Sequence, residues 1–133
     1  LIEMTKLSIK VGNLEVFADT TDENPGTVKA ILDNLPVKGE AQRWGEEIYF
    51  FVPFDIAKEA HKSLREECDP GEIGFWPENP ALAIFFGKTP ISTGNKPRAY
   101  SPCAFFAKLS EPLNKTALNA VEDGSEIVVS KAK

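Results

Sequence analysis

The sequence predicts a mainly β domain of about eight antiparallel strands with two short helices. Three features carry that expectation. Two apolar blocks, Arg43–Phe51 and Gly71–Ser92, hold both tryptophans and most of the phenylalanines, and Gly and Pro interrupt them at strand-length intervals. Apolar residues recur at every second position near the amino terminus. Two further stretches place apolar residues at helical rather than strand spacing.

The elements follow in chain order. Leu7, Ile9 and Val11 alternate with polar residues, Gly12-Asn13 supplies a two-residue turn, and Leu14, Val16 and Ala18 resume the alternation. That pattern is a β-hairpin. Asn24 is placed to cap a helix opening at Pro25, with Val28, Ile31, Leu32 and Leu35 on one face and Pro36 ending it. Strands are expected over Val37–Arg43 and Glu47–Val52, hinged at Gly45. In the second, Ile48, Phe50 and Val52 face one way while Tyr49 and Phe51 face the other. Both faces are apolar, so one must meet a ligand groove or a covering loop in addition to the core. The charged stretch between Pro53 and Pro70 reads as a short surface helix or an ordered excursion. Ile73–Trp76, Leu82–Phe86 and Cys103–Leu109 are strands by aromatic and β-branched content, with a long loop marked by Gly94, Pro97 and Pro102 before the last. Leu113, Ala117, Leu118 and Val121 suggest a second short helix ended by Gly124, and Ile127–Val129 is the final strand.

At 133 residues the chain is expected to be one domain over 1–133, able to bury a core without metal or disulfide. Leu1–Glu3 precede Met4 and take no part in the functional reading. Two cysteines, Cys68 and Cys103, do not make a disulfide framework, and no basic-flanked apolar run marks a signal peptide, so a reducing, cytoplasmic setting is expected. No stretch approaches the ~20 apolar residues of a membrane helix. A net charge of −5 without a Lys/Arg stripe argues against nucleic acid as a partner.

Trp44-Gly45-Glu46-Glu47-Ile48-Tyr49-Phe50, Gly71-Glu72-Ile73-Gly74-Phe75-Trp76-Pro77 and Phe85-Phe86-Gly87-Lys88-Thr89-Pro90-Ile91-Ser92, in that order, resemble the motifs of the small prokaryotic cyclophilin-like domain family. The resemblance runs from Leu7 to Val129. It implies a cyclophilin-like closed antiparallel β-barrel, and it implies no settled activity. Isomerases of the cyclophilin type carry an arginine on the third strand that hydrogen-bonds the proline nitrogen as the amide twists, and the resemblance puts Arg43 in that place, with Phe85 or Phe86 as pocket floor. Stabilising a twisted amide lowers a barrier of ~18–20 kcal/mol. The other isomerase segments, which supply the glutamine, the indole and the imidazole, have no counterpart here.

The remaining chemistry is sparse. His61 is the only histidine, which bars two-histidine metal motifs and reads as a solvated surface residue; with Cys68 and Asp69 it makes no recurring ligand spacing, so neither metal nor cofactor is expected. Gly87-Lys88-Thr89 lacks the earlier glycine and the following helix of a phosphate loop. Glu46 and Glu47, adjacent at a strand start, point to opposite faces. Glu47 shares the non-core face with Tyr49 and Phe51 and is expected to pair with Arg43 or Arg98, a binding role being the alternative. Trp44 and Trp76 suit either core plug or pocket wall. Two functions are weighed. The first is a binding module in which Arg43, Tyr49, Trp76, Phe86 and Arg98 line a groove for a small anionic or peptide-like ligand. The second is a peptidyl-prolyl isomerase with a reduced active site, acting through Arg43.

Overall fold

The computed structural model describes residues 3–133, so Leu1 and Ile2 of the segment before Met4 lie outside the described residues. β1 (Lys6–Val11) and β2 (Leu14–Thr20) form the expected hairpin, with Val11 opposite Leu14. Gly12 in its turn has φ 57°, a conformation that a side chain resists.

α1 (Pro25–Asp33) begins at proline and buries Thr27, Val28 and Ile31. Leu32 and Leu35, expected on the same buried face, are only half-buried and pack at the core margin, because the helix is short and meets the sheet along its 27–28–31 edge. Asn24 stands at the cap position, yet its side chain caps nothing. Fully buried, it donates to the Phe105 carbonyl at 2.9 Å and accepts from the backbone N–H groups of Lys62 and Ser63 at 2.8 Å each. That exchange ties the 53–70 segment to the sheet; the segment holds a 3-10 turn at Lys58–Ala60 and the short strand β6 (Arg65–Glu67), not an α-helix.

Val37–Arg43, expected as one strand, is two. β3 (Val37–Glu40) pairs with β10 (Glu126–Lys131), while β4 (Gln42–Arg43) pairs with β5 (Glu47–Phe51). Between them Ala41 exchanges backbone hydrogen bonds of 2.8 Å with the Gly124-Ser125 turn, and there the chain changes partners. With β7 (Glu72–Trp76), β8 (Ala81–Phe85) and β9 (Arg98–Leu109), the ladders run β3-β10-β1-β2-β9-β7-β8-β5-β4, all antiparallel, with β6 added beside β9. α2 (Lys115–Asn119) precedes β10, capped by Asn114 Oδ1, which accepts from Ala117 N at 3.0 Å. The structure is thus mainly β, with two helices and an antiparallel sheet of ten strands, two more than the expected count because 37–43 divides and β6 forms within the charged 53–70 excursion. The ladder path is open. Its ends, β3 and β4, are neighbours in the chain, but no hydrogen-bonded ladder among the described residues joins them into the closed barrel that the resemblance implies.

Alternation along the strands sorts side chains into two clusters. Ile48, Phe50, Ile73, Phe75, Leu82, Ile84 and Phe86 belong to the main core with Leu7, Ile9, Ile31 and Phe106. Ala83, Phe85, Ala99, Cys103, Phe105 and Cys68 form a smaller cluster, against which Tyr49 and Trp76 pack. The second apolar face of β5 and β8 therefore has its own, thinner cover. Gly74 makes that cover possible: a Cβ there would lie 3.0 Å from Cys103 Cβ and 3.2 Å from the Phe105 ring.

Candidate functional site

The smaller cluster does not fill its space. Above it lies a cavity of about 290 Å³ lined by Trp44, Glu47, Tyr49, Trp76, Ala83, Phe85, Ala99, Tyr100, Ser101 and Cys103. Strand alternation supplies Glu47 and Tyr49 from β5, Ala83 and Phe85 from β8, and Trp76 from β7. Trp44 comes from the β4–β5 turn, where Gly45 (φ 61°) leaves room that a Cβ would lose, 2.9 Å from the Lys88 carbonyl. The remaining wall depends on a staple. Buried Thr89 donates from Oγ1 to the Arg98 carbonyl at 2.6 Å, while its N–H donates to Ser92 Oγ at 3.0 Å. The Thr89-Pro90-Ile91-Ser92 motif thereby folds the long loop back and delivers Ala99, Tyr100 and Ser101 to the cavity.

The walls are aromatic. Tyr100, 71% exposed at the rim, meets Trp44 edge-on at 6.2 Å and Trp76 at 6.1 Å. Six side-chain polar atoms among the described residues are buried without a partner, and three of them, Glu47 Oε1, Trp76 Nε1 and Ser101 Oγ, belong to residues of this one lining. A buried polar atom left unpaired costs about 1–3 kcal/mol. Half of these atoms thus fall on residues of one lining, so the polar groups of this wall are incompletely paired within the protein.

Glu46, in the turn before β5, and Glu47, the first residue of that strand, meet opposite fates. Glu46 accepts from Asn119 Nδ2 at 2.8 Å and from Lys115 Nζ at 3.1 Å, and the Asn119 bond, with Lys115 behind it, holds its carboxyl below the usual range. Glu47 is 6% exposed, and burial pushes its carboxyl up to about 8. At neutral pH it is mostly the uncharged acid. The expected pairing of Glu47 with Arg43 or Arg98 does not form, because both guanidinium groups are held elsewhere.

Arg43 donates to the carbonyls of Asn119 (3.0 Å), Val121 (2.9 Å) and Gly45 (2.9 Å) and to Asn119 Oδ1 (2.9 Å). Its guanidinium lies 5.4 Å from the centroid of Phe86, which is fully buried. Arg43 therefore clamps the 119–121 loop onto the β4–β5 turn and faces no open proline-sized pocket. Arg98 donates to Glu66 Oε1 at 2.6 Å. Of the five residues expected around one groove, Tyr49 and Trp76 meet at the cavity; Arg43, Phe86 and Arg98 do not line it. Arg43→Ala is expected to lower stability by about 1–3 kcal/mol through stranded carbonyls, read as a shifted urea midpoint. A protease-coupled assay on an X-Pro peptide should show no acceleration in either protein, and turnover that Arg43→Ala abolishes would reinstate the isomerase role.

The other reactive side chains are quiet. Cys68 and Cys103 are free and buried, and burial raises both thiols, Cys103 to about 12, far from a thiolate nucleophile. His61 is half-buried rather than solvated: Nδ1 lies 2.7 Å from Thr27 Oγ1 and the ring stacks on Phe75 at 5.4 Å. Burial lowers its pKa. It borders a second, shallower space of about 630 Å³ with Asp55, Lys58 and Glu78. Among the described residues no group of three or more His, Cys, Asp or Glu is placed to hold a metal ion, and no helix is long and apolar enough to cross a membrane.

Comparison with known proteins agrees with this architecture. The solution structure of the hypothetical protein AF2241 from Archaeoglobus fulgidus is similar at 33% identity over 96% of this chain and 95% of that one, with a TM-score of 0.78. The structure of McbB in complex with tryptophan shares the fold at 15% identity and a TM-score of 0.66, over 94% of this chain and 44% of that one. No curated protein matches. The model of the cyclophilin-like family matches residues 5–130, and the chain belongs to that family.

Proposed function

We propose that the protein binds a small, largely apolar molecule in the cavity between β5, β8 and β9. The observation that supports this reading best is the coincidence of three buried, unpartnered polar atoms, on Glu47, Trp76 and Ser101, with one aromatic-walled space. Trp44, Tyr49, Trp76 and Tyr100 offer stacking area, and their rigid rings lose little conformational freedom on binding. The cavity's size suits a fragment of one or two rings. A groove for an anion draws no support from its lining, which contains no Lys, Arg or His.

Both tryptophans of the chain line the cavity, so their emission, excited at a wavelength that avoids tyrosine, reports its occupancy directly. Titration with a set of aromatic fragments, 3-phenylpropan-1-ol among them, is expected to change that emission saturably and to raise the unfolding temperature. A ligand confined to the native state adds about 2.7 kcal/mol at a hundredfold excess over Kd. Ala83→Leu, which puts bulk into the floor, should remove the response while leaving the protein folded. No saturable change with any fragment, or one that survives in Ala83→Leu, would end the reading.

A further inference from the structure

Resting on the binding role of the cavity, we propose that its ligand is an organic cation, an ammonium group on an apolar or aromatic body, with Glu47 as the counter-ion. Charge gives the first reason. The lining offers one carboxyl and no cationic side chain, so it favours a positive group and repels an anion whenever Glu47 is ionised.

The aromatic walls give the second. Two guanidinium groups elsewhere on the sheet already sit over phenylalanine rings, Arg43 on Phe86 at 5.4 Å and Arg65 on Phe105 at 4.3 Å. Trp44, Tyr49, Trp76 and Tyr100 surround a space with no such cation among the described residues. Indole and phenol faces attract an ammonium more strongly than the phenylalanine face does, and more so when the group is desolvated.

The unpaired carboxyl gives the third. Glu47 Oε1 is buried without a donor, and the titratable groups that line the cavity with it are Tyr49 on β5 and Tyr100 and Cys103 on β9, none of which carries positive charge. Phe85, opposite Glu47 on β8, carries none. On the β4 side Arg43 is turned to the 119–121 loop, and Glu46 to Lys115 and Asn119. Among the described residues no cationic side chain of the lining pairs with this carboxyl, so an entering ammonium would supply its counter-ion. Because burial lifts that carboxyl to about 8, binding at neutral pH breaks its O–H bond and releases the proton to buffer, while the ammonium keeps its own protons.

The test compares 3-phenylpropylamine, 3-phenylpropan-1-ol and 3-phenylpropionate by calorimetry on the full chain. The three share one body and differ in charge. The amine is expected to bind at least ~10-fold more tightly than the alcohol at pH 8, and the acid more weakly than either, the order set by the carboxylate. The amine's Kd should fall about tenfold from pH 6 to pH 7 and level off above pH 8, following Glu47 ionisation. Glu47→Gln should erase the preference for amine over alcohol and the pH dependence of amine binding, and a cooperative urea transition of the variant reports separately that it is folded. Alcohol binding equal to amine binding, or preferred binding of the acid, overturns the cation assignment and leaves the cavity's binding role standing. If none of the three binds and no other fragment does, both fall together.

Discussion

Truncating Phe75 to alanine is expected to remove about 3–5 kcal/mol of folding stability. The ring is fully buried on β7, opposite Leu82 of β8 and Ala104 of β9. It stacks with Phe54 at 6.5 Å and with His61 at 5.4 Å. Strands on both sides hold the backbone, so the neighbours can close only part of the void, and the lost transfer energy adds to the cavity term. His61 would also lose the surface on which its imidazole lies, so the wall of the second space should loosen with it. Phe51→Ala is the control: that ring is 54% exposed at the end of β5, and its loss should stay near the ~0.5 kcal/mol of an ordinary surface change. Urea denaturation of the two variants measures the contrast. Similar small losses for both would mean that β7 is registered one residue away, since a one-residue slip exchanges the two faces of a strand.

Local chemistry made much of this fold legible in the sequence. The Gly12-Asn13 hairpin, the Pro25 helix start and the two-faced apolar pattern of β5 all rest on interactions within a few residues. Glu47 was legible in part, as an acid on the second face of β5. Its solitude was not, because that depends on where two long side chains elsewhere find partners: Arg43 reaches Asn119 and Val121, and Arg98 reaches Glu66. Long charged side chains choose among carbonyls and carboxylates brought close by tertiary structure, and sequence position says little about that choice. Tyr100 and Ser101 were missed as cavity wall for a related reason. Their place follows from the Thr89–Arg98 hydrogen bond across the loop, and an alternating pattern of small and aromatic residues after a loop carries no mark of it. The split of 37–43 was hidden likewise, since Ala41 changes partners only because the Gly124-Ser125 turn lies beside it.

Replacing Glu47 by glutamine is expected to stabilise the protein at alkaline pH by several kcal/mol and to do little in acid. In the unfolded chain the carboxyl titrates near 4.5, and in the folded protein burial lifts it to about 8. A group raised in this way favours folding in its protonated form: its contribution is fully present below pH 4.5 and is lost as pH climbs through 8. The wild-type protein should therefore weaken across that window by up to about 5 kcal/mol from this one group, at roughly 1.4 kcal/mol per pH unit while only the unfolded chain is ionised. Glutamine has nearly the same shape and no proton to lose, so its stability should lack this component. Urea midpoints at pH 5, 7 and 9 test the divergence. Parallel curves would show that the carboxyl is solvated and that the cavity does not isolate it. Glutamine would fill this position at lower cost to folding above pH 4.5, and a chain that nevertheless holds an unpartnered acid there keeps a group whose charged form is costly until something in the cavity answers it. An ammonium ligand supplies that answer, so the same protein saturated with 3-phenylpropylamine should recover much of the stability at pH 9 that glutamine confers without it.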